Sequence, residues 1–97
     1  MIPEGIELFS NCDSDAQYLG WLARHPNGYV VACTKYPRPG SQMKLHRAAC
    51  IWISDPAKGP FTTRDYGKAC AVSRLLLSDW GQNKVQSQWS TCAVCKP

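Results

Sequence analysis

No stretch of the chain approaches the roughly 18 consecutive apolar residues that a membrane-crossing helix requires. Its apolar runs are short, as at Leu75-Leu76-Leu77, and no membrane span is expected. The opening Met1-Ile2-Pro3-Glu4-Gly5-Ile6-Glu7 lacks a basic segment leading into an apolar one. No secretory signal is read there, and the default location is the cytoplasm. Also missing are a phosphate loop, a dinucleotide glycine motif, HExxH and GxSxG, which removes the best-marked nucleotide-dependent, metalloprotease and serine-hydrolase readings. No internal repeat and no long linker divide the sequence, so residues 1–97 are read as one domain.

Acidic residues become scarce after the first segment. Glu4, Glu7, Asp13 and Asp15 occupy residues 1–15 without a Lys or Arg, whereas from residue 16 onward 11 basic residues face 3 acidic ones. Such a surplus favours anionic partners, nucleic acid among them, although ordinary solvated surfaces also carry it. A hydrophobic content of 44% with four Trp and four Tyr excludes a disordered chain. A body of this size buries only about 60 to 65% of its unfolded surface, so its core benefits from a staple.

Residues 1–12, with Pro3 and Gly5 and no clear period, read as an irregular arm. Asp13-Ser14-Asp15 supplies helix-start chemistry, with Ser14 and Gln17 spaced as a capping box. Tyr18, Trp21 and Leu22 then recur at i, i+3 and i+4, the stripe of a helix facing a core. His25-Pro26-Asn27-Gly28 ends it, and His25 there meets the favourable end of the helix dipole. Tyr29-Val30-Val31-Ala32-Cys33 has the composition of an interior strand. After a Pro- and Gly-containing loop, Met43-Lys44-Leu45-His46-Arg47 alternates like a half-buried strand returning beside it. Cys50-Ile51-Trp52-Ile53 and Tyr66 to Val72 are read as two further strands. Ser73 is placed to cap a helix carrying Leu76, Leu77 and Trp80, with Gly81 to end it in a left-handed turn. The fold expected is α+β, a small antiparallel sheet of three to five strands with two helices packed on one face.

Six cysteines in a reducing compartment point toward metal binding or redox chemistry rather than disulfides, although three disulfides remain open with 15 pairings. Cys92-Ala93-Val94-Cys95 is the sharpest signal, because two thiolates two residues apart can reach one ion. Cys50 and Cys70, both on expected strands, are the candidates for the other half of a tetrahedral site, with His46 as the substitute ligand. Zinc suits such a closed thiolate shell, which would be structural and would tie the tail, residues 82–97, onto the sheet. Cys12 and Cys33 read as small buried apolar residues. A thioredoxin-type dithiol normally starts a helix, which a pair at the end of the chain does not match.

His46 and Cys50, four residues apart, are also a general base and a thiol nucleophile, the basis of an alternative reading as a small thiol-dependent enzyme. No orienting carboxylate accompanies them, and a structural histidine is the plainer reading. Lys35, Arg38, Lys44, Arg47, Arg64 and Lys68, interleaved with Tyr36 and Tyr66, are candidates to pair phosphates and stack bases on one face. No RNP, KH or helix-turn-helix signature supports them. Trp52 or Trp89 anchoring a larger protein is a third reading.

The segments His25-Pro26-Asn27-Gly28-Tyr29-Val30-Val31, Leu45-His46-Arg47-Ala48-Ala49-Cys50, Lys68-Ala69-Cys70-Ala71 and Cys92-Ala93-Val94-Cys95 together resemble a family of small uncharacterised bacterial proteins. The resemblance covers about residues 15–97 and implies a bacterial source and no activity. It singles out Cys50, Cys70, Cys92 and Cys95 with His46 and Arg47. The family usually has Asn where this chain has Ala32, and Cys12 and Cys33 fall outside its pattern. The reading taken forward is a non-enzymatic, zinc-stabilised module that contacts nucleic acid through its basic hairpin face.

Overall fold

The computed structural model describes residues 2–10, 14–55, 57, 59–62 and 66–97; Cys12, Asp13 and Arg64 lie outside the described residues. Strand β1 spans Glu7–Phe9, helix α1 Asp15–Arg24, β2 Tyr29–Thr34, β3 Gln42–Arg47, α2 Ile51–Ser54, β4 Tyr66–Ala71, α3 Arg74–Asp79 and β5 Gln88–Thr91. A π-helical turn, Trp80–Lys84, continues α3. The strands form one sheet in the order β1-β4-β2-β3-β5, antiparallel throughout except for the parallel pair β3 and β5. The α+β class and the mostly antiparallel sheet are those expected from the sequence.

The helices divide between the two faces rather than sharing one. On the first face Tyr18, Trp21 and Leu22 of α1 pack with Val30, Cys70, Ile53 and Phe61. On the second, Leu77 and Trp80 pack with Val31, Leu45, Ala69 and Ala71. The reason lies in β2 and β4, which bury side chains in both phases of the alternation, Val30 and Cys70 in one and Val31, Cys33, Ala69 and Ala71 in the other, so each face demands its own cover. Ser73 caps α3 as expected, its hydroxyl accepting from the Leu76 N–H at 3.2 Å.

Three local expectations are corrected. Glu7–Phe9 of the supposed arm is a paired edge strand, in register with Lys68 to Cys70. Cys50-Ile51-Trp52-Ile53 is not a strand: the Cys50 N–H donates to the Arg47 carbonyl at 3.0 Å, closing a turn that lifts the chain off the sheet into α2. Tertiary contacts outweigh the β-branched preference there, since Ile53 is buried and its carbonyl accepts the Tyr18 hydroxyl. Gly81 does not end its helix. It lies under the Trp89 ring, where an added Cβ would come within 2.3 Å of Cζ3, and the helix widens into the π turn around it.

The Asp15 carboxylate fastens the loop after α2 by accepting from the backbone N–H groups of Phe61 at 2.9 Å and Thr62 at 2.7 Å. Burial opposes its charge, but the donors of Thr62 and Phe61 and the nearby Lys68 together hold it below the usual carboxylate range. We expect Gly81→Ala to destabilise the fold by about 1–3 kcal/mol, the range for overpacking, measured as a lowered denaturation midpoint with an unchanged dependence on denaturant.

Candidate metal centre

His46 stands near the end of β3, opposite Val30 on the face covered by α1. The turn after β3 folds Cys50 back over this face, where Cys50 belongs to the same buried cluster as Val30. From the other side, β5 runs parallel to β3 with Thr91 beside Leu45, and the Cys92 N–H extends the ladder by donating to the Leu45 carbonyl at 2.9 Å. That register delivers Cys92 alongside His46. The Lys96 N–H then donates to the Cys92 carbonyl at 3.0 Å, closing a turn that brings Cys95 in.

Four donors from three separate segments therefore meet. The ligand atoms of His46, Cys50, Cys92 and Cys95 all lie within 4.8 Å of one another. A tetrahedral zinc shell places its ligand atoms about 3.6–3.8 Å apart, given the usual Zn–S and Zn–N lengths. The Cys50 and Cys92 sulfurs, at 4.0 Å, are close to that spacing and far from a disulfide. The five described cysteines are all free. Nδ1 of His46 is buried without a hydrogen-bond partner, and in the neutral tautomer with its proton on Nε2 a cation would satisfy it. Burial, helped by Lys44 and Lys68, pushes the His46 imidazole down to about 4, so it is neutral with a free lone pair at physiological pH.

The backbone also turns toward the sulfurs. N–H groups of Cys95 and Val94 aim at Cys92 and hold its thiol below the ordinary range. The Arg47 N–H donates to the Cys95 sulfur at 3.2 Å. Burial raises the Cys50 thiol to about 11 against the opposing Trp52 N–H. Donors of this kind support metal-bound thiolates. Arg47 braces the knuckle further, its Nε donating to the Cys95 carbonyl and a terminal nitrogen to the Lys96 carbonyl, each at 3.1 Å.

Cys70 does not join this set. It lies on β4, which is separated from β3 by β2, so it is about two interstrand spacings, roughly 9–10 Å, from the strand bearing His46. It is fully buried beneath α1 and opposite Val30, where burial raises its thiol. His46 takes the fourth position. Cys33 is a buried residue of the α3 face, as expected, its thiol pushed up to about 12 by burial. His25 is the C-cap residue of α1, its ring 4.6 Å from that of Trp21.

The basic candidates separate into three groups. Tyr36, Arg38 and Lys44 are exposed, and half-buried Lys35 holds its ammonium 5.5 Å from the centre of the Tyr36 ring. Arg47 is exposed but committed to the tail carbonyls. Lys68 is corrected from a surface cation to a buried one: it is 8% exposed, and its Nζ donates to the Phe61 carbonyl at 2.8 Å. Lys35, Arg38 and Ser41 line an open hollow of about 520 Å³. A larger one of about 820 Å³ adjoins it at Thr34 and is lined by Lys44, Tyr66, Gln42 and Gln88 among others. The amide and hydroxyl members of this lining, Thr34, Gln42, Gln88 and Ser90, carry no charge or spacing signal and went unread in the sequence. Trp89 is half-buried and packs toward Gly81 and Met43 on the α3 face, whereas Trp52 is 53% exposed.

No helix among the described residues is long and apolar enough to cross a membrane. No family model, curated protein or solved structure matches the chain.

Metal entry must displace thiol protons but none from the already neutral His46. Zinc titrated into metal-free protein at neutral pH should release about two to three protons per ion, and apparent affinity should rise with pH through the thiol range. Indicator-dye titration in weak buffer measures both, and proton-free binding would contradict this donor set.

Proposed function

We propose that the chain is a zinc-stabilised, non-enzymatic module in which His46, Cys50, Cys92 and Cys95 hold one zinc ion that fastens the C-terminal strand to the sheet. The convergence of four donor atoms within 4.8 Å carries this reading. Three sulfurs and one imidazole are a donor set that zinc favours, and a shell closed by four protein ligands leaves no position for substrate. The ion would be structural. The alternative of a thiol-dependent enzyme on Cys50 and His46 is disfavoured by chemistry, since a buried thiol raised to about 11 is the reverse of an activated nucleophile. The motif likeness to small bacterial proteins is part of this proposal, with His46 in place of Cys70 among the ligands.

Native mass spectrometry before and after a chelator tests the site. One zinc per chain is expected, with Cys92→Ala and His46→Ala lowering occupancy severalfold or more. Cys70→Ala should cost packing stability yet leave the stoichiometry at one. Loss of zinc in Cys70→Ala but not in His46→Ala would reject the assignment.

We further propose an anionic partner, nucleic acid, for the hairpin face. Support comes from exposed Arg38 and Lys44, from Lys35, and from hollows whose described lining residues include no acid. Three phosphate contacts to single strands give a slope of log affinity against log salt of about −2. Affinity measured between 50 and 200 mM salt should follow it, and a flat response would remove this partner.

A further inference from the structure

The sheet face that carries the metal donors at one end has a second feature at the other, built from residues that the metal site leaves unused. On β2, Ala32 is flanked directly by Lys44 of β3 and Lys68 of β4, and Thr34 is flanked by Tyr66 of β4. On β5, Gln88 lies beside Gln42 of β3. Cross-strand partners project to the same side of a sheet, so these residues share the face of Val30 and His46. They line the hollow of about 820 Å³.

Its chemistry is specific. Ala32 makes the floor low, while Tyr66, 59% exposed, offers a ring beside it. Lys44 makes no ion pair among the described residues, and Lys68 also borders the hollow while its Nζ donates to the Phe61 carbonyl. Thr34 lines both hollows, and its buried Oγ1 has no hydrogen-bond partner. The amides of Gln42 and Gln88 each present a donor and an acceptor, the pattern that matches a base edge.

We infer that this hollow, with the smaller one adjoining it at Thr34, seats a segment of single-stranded nucleic acid, its phosphates on Lys44, Arg38 and Lys35, one unstacked base against Tyr66, and the amides of Gln42 and Gln88 facing base edges of the strand. The inference rests on the nucleic-acid reading above and deepens it. Duplex readers insert a protruding helix or ribbon into a groove, whereas a recess floored by sheet with an aromatic ring accepts an unpaired base. Spaced cations with an interleaved aromatic residue are the means by which single strands are held.

The test uses the full chain, its metal content measured, with a labelled 12-nucleotide single strand, the matching duplex and the corresponding mononucleotide, read by fluorescence anisotropy. The single strand should bind at least about tenfold more tightly than the duplex. Tyr66→Ala should weaken it about tenfold at an unchanged salt slope, consistent with loss of one stacked base. Tyr66→Phe should retain affinity, and Lys44→Ala should reduce the slope by about 0.7. Arg74→Ala, on the exposed start of α3, should change neither. Equal binding of single strand and duplex, with Tyr66→Ala matching the parent, overturns this inference and leaves the hairpin-face reading in place. A mononucleotide competing as well as the 12-mer overturns the strand assignment. Failure of both nucleic acids to bind overturns both readings.

Discussion

The parallel ladder between β3 and β5 fixes how the last part of the chain is used. Residues 82–97 contribute only Val85, Trp89, Cys92 and Cys95 to the two apolar clusters, and a four-residue edge strand has few bonds with which to offset the entropy of ordering it. Two devices lie at its ends. Trp89 rests on Gly81 before the strand is far advanced, and just beyond it Cys92 enters the donor cluster. Arg47 then grips the carbonyls of Cys95 and Lys96. A cation shared by Cys92, Cys95, Cys50 and His46 would supply the long-range tie that apolar burial does not.

The sheet makes this arrangement available because its two faces are separately covered. The α3 face is packed with aliphatic and aromatic side chains, Val31, Leu45, Leu77 and Trp80 among them. The α1 face is mixed: Tyr18 and Trp21 fill its middle, while its two ends hold polar or sulfur-bearing groups. Buried polar atoms accumulate on that side, Nδ1 of His46 toward one end and Oγ1 of Thr34 toward the other. Interiors normally pair such atoms, so both ends are places where a ligand would satisfy what the protein leaves open.

Much of this was legible in the amino acids, in proportion to how local each feature is. The i, i+3, i+4 stripe of Tyr18, Trp21 and Leu22 located α1, and β2, β3 and β4 followed from β-branched runs and alternation. The Cys92 and Cys95 pair and Cys50 were likewise visible. The choice between Cys70 and His46 was not, because it turns on β2 lying between β4 and β3, and strand order is a nonlocal property. The burial of Lys68 depends on the Phe61 carbonyl, brought near by Asp15, and no spacing in the sequence encodes that contact. Cys50 misled in a different way: Ile51 and Ile53 suggested a strand, whereas the turn closed on Arg47 decides the local path.

The two ends of the α1 face are mechanically one. Gln42, Lys44 and His46 lie at two-residue intervals on β3, and Gln88 and Ser90 stand beside the first two of them, with Cys92 next in line. In a strand a slip of a single residue turns every side chain to the opposite face. Fastening Cys92 to His46 through a shared ion would therefore do more than retain the tail, since it would select the register in which Gln88 and Ser90 face the hollow and Trp89 faces Gly81. β5 has a partner on one side only, so neighbouring strands offer it no second constraint on register. A metal at one end of β3 would thus determine the shape and hydrogen-bonding pattern of the wall at the other, coupling a structural ion to recognition without placing it in contact with anything recognised.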